Sequence, residues 1–146
     1  MIQFHIKQNA FPSAKNITWD DVIDKTRFEF EKQTHKLFNW SGLAPTFVLH
    51  QNYFENTIRV AYDEVKRAEN VTNMHTYLSF GKSQSFGNHK DTMDVLIVQA
   101  IGRVGYTIDD KETHWLDPGD AIWIPAGIYH DPVVMEPRVT LSFSWD

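Results

Sequence analysis

The 146-residue chain contains no cysteine. Disulfides, thiolate metal sites and zinc fingers are therefore excluded, and any bound metal has to be held by imidazole and carboxylate groups. The chain also lacks a surplus of positive charge. With 14 Lys and Arg against 19 Asp and Glu, its net charge of -5 argues against a generic grip on nucleic-acid phosphates, which needs clustered cations to release counterions. No run of about 18 apolar residues occurs, and Met1-Ile2-Gln3-Phe4-His5 has no basic stretch leading into an apolar core. These absences set the expectation of a soluble, cytoplasmic protein with neither a membrane nor a nucleic acid as partner. There is also no repeat, low-complexity tract or linker, so residues 1–146 are expected to form one domain. What the chain has in quantity is core material, 42% hydrophobic and 14% aromatic residues.

Ile2, Phe4 and Ile6 alternate with polar residues at the period of a half-buried strand, which Pro12-Ser13-Ala14 interrupts. Thr18 can cap a helix with Asp20 and Asp21 in its first turn and apolar residues at helical spacing over 19–37. Asn39-Trp40-Ser41-Gly42 and Pro45 mark a loop, and 56–66 reads equally as strand or helix. Up to about residue 70 the chain is thus helical or mixed, whereas 71–146 is rich in β-branched and aromatic runs divided by turn residues. Strands are expected at 74–80, 95–100, 103–108, 121–124 and 138–145, with a turn at Asp109-Asp110-Lys111.

The chemistry concentrates in two stretches. In the first, Pro118 and Gly119 suit a tight turn, an apolar strand runs to Ile124, and Pro125 and Gly127 turn again to present His130 on a rigid corner. The spacing G-x5-P-x-G-x2-H, from Gly119 to His130, resembles the second motif of cupins. The second stretch is Gly87-Asn88-His89-Lys90-Asp91. Residues two apart in extended backbone point the same way, so His89 and Asp91 can share one ion with His130. Two histidines and a carboxylate on one face leave positions open and suit non-haem Fe(II). Asp94 is a rival carboxylate, because ordinary cupins place an acidic ligand about five residues after a histidine; it requires the chain to bend. His5, His35, His50, His75 and His114 lack paired spacing and are expected to be structural. Trp115, Trp123 and Tyr129 flank the cupin-like motif and are expected to pack, with Tyr129 the best placed of them to meet a substrate.

The run from His89 to Arg103, with Gln99 and Gly102 at matching places, resembles the jumonji-type 2-oxoglutarate oxygenases, especially the ribosomal-protein hydroxylases. Thr140-Leu141-Ser142-Phe143-Ser144-Trp145 is similar to the last core strand of that family. The resemblance covers about 74–145 and implies a mainly β, cupin-type double-stranded β-helix with one or two N-terminal helices. It also implies Fe(II), 2-oxoglutarate as cosubstrate and hydroxylation of a small-molecule or peptide substrate. One position departs from the pattern. A basic residue that commonly pairs with the distal carboxylate of 2-oxoglutarate is Val104 here. Arg138 shares the parity of Thr140 and Ser142, and other oxygenases use an R-x-S or R-x-T pair on such a strand, so these three are the expected cosubstrate residues. Two alternatives stand beside this one: a metal cupin that uses no 2-oxoglutarate, such as a dioxygenase or isomerase, and a non-catalytic ligand-binding cupin. A homodimer is expected from the open sheet edges.

Overall fold

Strands in the second half of the chain alternate two kinds of side chain, and this alternation builds two cores. The computed structural model describes residues 3–31, 38–39, 46–50, 55–83 and 87–146. Its strands are β1 (His5–Lys7), β2 (Phe38–Asn39), β3 (Thr46–His50), β4 (Asn73–Ser79), β5 (Val95–Ile101), β6 (Val104–Ile108), β7 (Thr113–Leu116), β8 (Ala121–Ile124), β9 (His130–Val134) and β10 (Arg138–Ser144). They form a seven-stranded sheet in the order β1-β8-β5-β10-β4-β3-β2 and a three-stranded sheet in the order β7-β6-β9. All the pairings are antiparallel. Isolated bridges from Ser83 to Val134 and from His89 to His130 bring the segment after β4 alongside β9.

One face of the large sheet buries Leu96, Val98, Ala100, Val139, Leu141 and Phe143 against two helices. The opposite face turns Ile97, Ile122 and Ile124 toward Val104, Tyr106, Leu116 and Val134 of the small sheet. This is a mainly β jelly-roll barrel with its helices packed outside the large sheet, the cupin-type double-stranded β-helix. Polar residues at inward positions of β5 and β10, namely Gln99, Arg138 and Thr140, are also buried. A buried charge on a barrel wall calls for a partner inside.

The helices follow their caps. α1 (Trp19–Glu31) begins where Thr18 Oγ1 accepts the Asp21 amide at 3.2 Å. The expected continuation of this helix over 32–37 lies outside the described residues, as do Trp40, Ser41, Gly42 and Pro45 of the expected loop. The ambiguous segment is a helix, α2 (Thr57–Glu69): Asn56 Oδ1 accepts the Ile58 amide at 2.9 Å, and Asn70 ends the helix in the left-handed conformation. Ile58, Ala61 and Val65, at helical spacing, supply its buried face.

The first strand departs from its pattern. β1 is only three residues long and all are exposed, with Ile6 36% accessible. It is an edge strand paired on one side to β8, so alternation there does not ensure burial. The turn at Asp109-Asp110 does form, with both residues at positive φ and Lys111 N–H donating to Ile108 O.

Candidate metal centre

The turn that carries His130 is fastened to the segment that carries His89 and Asp91. His89 and His130 exchange backbone hydrogen bonds, at 3.0 Å from His89 N–H to His130 O and 2.8 Å in return. Gly127 N–H donates to Asp91 O at 3.0 Å. Gly127 sits at φ +84°, where a side chain would be strained, which accounts for glycine in the Pro125-x-Gly127 turn. The rival carboxylate also serves this turn: Asp94 Oδ1 accepts the Ala126 amide at 2.8 Å.

These backbone ties bring three side chains together. The ligating atoms of His89, Asp91 and His130 all lie within 4.8 Å of one another, and among the described residues this is the group arranged to hold a metal ion. Asp94 is not in it. The two imidazole rings are 4.3 Å apart between centroids, and His130 Nε2 is 3.4 Å from Asp91 Oδ2.

Both histidines have the tautomer a ligand needs. His89 Nδ1 lies 2.7 Å from Gly87 O and His130 Nδ1 3.0 Å from Ile128 O. A carbonyl only accepts, so each Nδ1 carries a proton and Nε2 is the nitrogen left to ligate. Burial pushes the pKa of His130 below its ordinary value; the Ile128 carbonyl opposes the shift, His89 adds to it, and Asp91 and Asp131 oppose it. The unprotonated form that binds metal is thereby favoured.

Farther along the barrel wall, Arg138 is 2% accessible. Its Nε donates to Ser79 Oγ at 3.1 Å and its Nη1 to Thr140 Oγ1 at 3.1 Å, while Nη2 is buried without a hydrogen-bond partner. Tyr77 faces this guanidinium, whose Cζ is 6.0 Å from the phenol ring centroid. Burial raises the Tyr77 pKa, with Asp91 adding to the shift and Arg138 opposing it. Its phenol thus responds both to the carboxylate of the triad and to the guanidinium. Tyr106 is fully enclosed, and burial pushes its pKa up to about 12, Arg138 opposing and Tyr77 reinforcing the shift. Ser142, the third expected cosubstrate residue, is half-buried on the same strand opposite His75. Val104, where the family pattern has a basic residue, is buried among apolar side chains of the inter-sheet core.

His5, His114 and Trp123 make ring contacts as expected, whereas Trp115, expected to pack, is exposed on the three-stranded sheet. His5 stacks on Trp123 with ring centroids 4.4 Å apart, and His114 lies 4.9 Å from Phe4. Tyr129 is 44% accessible with Lys90 Nζ 5.3 Å from its ring centroid, and Trp115 carries Arg103 at 5.0 Å. His35 and the His50 side chain lie outside the described residues.

The JmjC domain model matches residues 48–114, which include His89 and Asp91 and stop short of His130. That match spans a little under half of the chain, and the fold is of the cupin type. Among solved structures it is similar to YcfD, a ribosomal oxygenase from Escherichia coli, in complex with cobalt and 2-oxoglutarate, with a TM-score of 0.72 and 15% identity. A second YcfD structure, with cobalt and succinic acid, gives a TM-score of 0.72 and 16% identity. Each comparison covers 99% of this chain and 48% of the other, so the chain spans about half the length of YcfD. A Pseudomonas putida prolyl-4-hydroxylase shares the fold at a TM-score of 0.57 and 9% identity, over 98% of this chain and 92% of that one. No curated protein matches the sequence. The structural likeness reaches the N-terminal half of the chain, beyond the stretch that sequence resemblance covers.

Sequence reasoning missed Ser79, Tyr77 and Tyr106 as neighbours of Arg138. Their strand parity puts them on the barrel interior, but only the register of β4 against β10 brings Ser79 and Tyr77 beside the guanidinium, and Tyr106 approaches it from the other sheet.

Proposed function

We propose that this chain is an Fe(II)- and 2-oxoglutarate-dependent hydroxylase in which His89, Asp91 and His130 hold the metal and Arg138 holds the distal carboxylate of the cosubstrate. The observation that carries the reading is the orphaned Nη2 of Arg138, a buried donor on the barrel wall that lacks an acceptor. Leaving such a donor unsatisfied costs about 1–3 kcal/mol and more for a charged group, and an anionic carboxylate removes that cost. The donor set fits the ion as well: imidazole nitrogens and one carboxylate oxygen suit a first-row divalent metal and leave coordination positions free.

When bound, the metal would let dioxygen oxidise substrate and cosubstrate together, one oxygen atom entering a substrate C–H bond and the other the 2-oxoglutarate, which leaves as succinate and carbon dioxide. The protein's part is positional. The carbonyl partners of His89 and His130 hold Nδ1 as the donor and leave Nε2 as the nitrogen for the metal, Asp91 supplies negative charge, and the apolar inter-sheet core keeps water from the barrel interior. The substrate is a small molecule or a peptide reached through the barrel mouth. YcfD's description as a ribosomal oxygenase favours a peptide, and Tyr129 with Lys90 offers an exposed aromatic and a cation close in sequence to the two histidine ligands.

The test is anaerobic calorimetry of 2-oxoglutarate against Mn(II)-loaded protein. Arg138→Ala is expected to weaken 2-oxoglutarate by about tenfold or more while metal affinity stays within about twofold. Metal binding with no 2-oxoglutarate binding in the parent protein supports instead a cupin that works without this cosubstrate, the reading Val104 favours. Binding of neither supports a non-catalytic module.

A further inference from the structure

The direction of every hydrogen bond around Arg138 can be worked out, and it gives Thr140 and Gln99 a role. Gln99 is fully buried on β5, opposite Thr140 of β10. Its Nε2 donates to Ile101 O at 2.8 Å and to Gly102 O at 3.1 Å. Two carbonyls on that side fix the amide orientation, because only the NH2 end can donate to them. Gln99 Oε1 therefore faces Thr140, whose hydroxyl donates to it at 2.8 Å. A threonine hydroxyl has one proton, and it is now committed. Toward Arg138, which only donates, Thr140 is an acceptor at 3.1 Å. The chain of bonds runs one way, from the guanidinium through Thr140 and Gln99 to the turn after β5.

We propose that Gln99 is a positioning residue which, through Thr140, sets the guanidinium of Arg138 so that Nη2 stays free for the distal carboxylate of a 2-oxo dicarboxylate. The inference rests on the reading of Arg138 as the cosubstrate anchor and adds the device that orients it. It also changes the part Thr140 plays. With its single proton held by Gln99, Thr140 cannot donate to a bound carboxylate, so it acts on the arginine and not on the anion. Ser79 Oγ, accepting from Nε at 3.1 Å, fixes the other edge of the same planar group. Two of the guanidinium's edges are thus clamped, and a fork held in one plane presents its remaining N–H groups in a fixed direction.

The experiment compares two keto acids on Mn(II)-loaded protein under anaerobic calorimetry: 2-oxoglutarate, and 2-oxobutyrate, which has the same metal-binding end without the distal carboxylate. Thr140→Val and Gln99→Met are expected to weaken 2-oxoglutarate by about tenfold while 2-oxobutyrate and Mn(II) stay within about twofold, and Thr140→Ser restores the parent value. A general loosening of the barrel weakens both keto acids alike and overturns the inference. So do Thr140→Val and Gln99→Met proteins that bind 2-oxoglutarate like the parent when Arg138→Met has lost it, a result that leaves the anchor reading in place. Parent-like 2-oxoglutarate binding by Arg138→Met removes the anchor itself. Should Gln99→Met fail to fold, as the loss of two bonds to the turn after β5 permits, the Thr140→Val and Thr140→Ser pair decides the question alone.

Discussion

The grouping of His89, Asp91 and His130 was legible because their positions follow from turn chemistry and strand parity, both local properties of the sequence. His89 and Asp91 are two apart, and His130 follows a Pro and a Gly whose turn has the required positive φ. The choice of Asp91 over Asp94 is consistent with the geometry, since Asp94 is occupied by the Ala126 amide. Less legible were the groups around Arg138, because Ser79 and Gln99 are brought near it only by the register of β4 and β5 against β10, and Tyr106 only by the packing of one sheet on the other. Tyr106 allows a prediction at this scale. Its folded pKa of about 12 lies above the ordinary 10.0, so its contribution to stability is complete below pH 10.0 and is lost as pH rises through about 12. Tyr106→Phe is expected to lose less stability than the parent protein across that interval in thermal melts; an unchanged alkaline decline contradicts the assignment.

Elements with strong local signals formed where expected, and those that depend on distant partners were missed. The strands β5, β8 and β10 fall within a residue of the expected bounds, their apolar runs being buried on one or both faces. Among the described residues four strands escaped: β2, whose Asn39 was expected in a loop, β3, and a further two, β7, whose Trp115 is exposed, and β9, which contains Asp131 and Pro132, residues that argue against a strand. Pairing with β6 makes strands of β7 and β9. The segment 56–66 was undecided because its apolar positions suit either period; Asn56 settles it by capping. Two substitutions measure these different origins of stability. Phe143→Ala, on the central strand β10 and wholly buried against the helices, is expected to cost about 3–5 kcal/mol in urea unfolding. Asn56→Ala, which removes the cap of α2, is expected to cost about 1 kcal/mol. Equal losses contradict the account of where the core lies.

On the scale of the whole molecule, the barrel separates two functions of its large sheet. The outer face holds the helices and carries most of the apolar core, while the inner face carries part of the inter-sheet core and a polar row ending in Arg138. A metal that binds only the folded barrel stabilises it by mass action, by about 2.7 kcal/mol at a hundredfold excess over its Kd. Mn(II) is therefore expected to raise the melting temperature of the parent protein and to leave that of Asp91→Ala unchanged. The most direct test of the central claim is a Mn(II) titration followed by electron paramagnetic resonance. One ion bound per chain, with affinity lost by at least about tenfold in each of His89→Ala, Asp91→Ala and His130→Ala but kept in Asp94→Ala, is the result this account predicts. Binding that survives all three substitutions, or that depends on Asp94 instead, contradicts it.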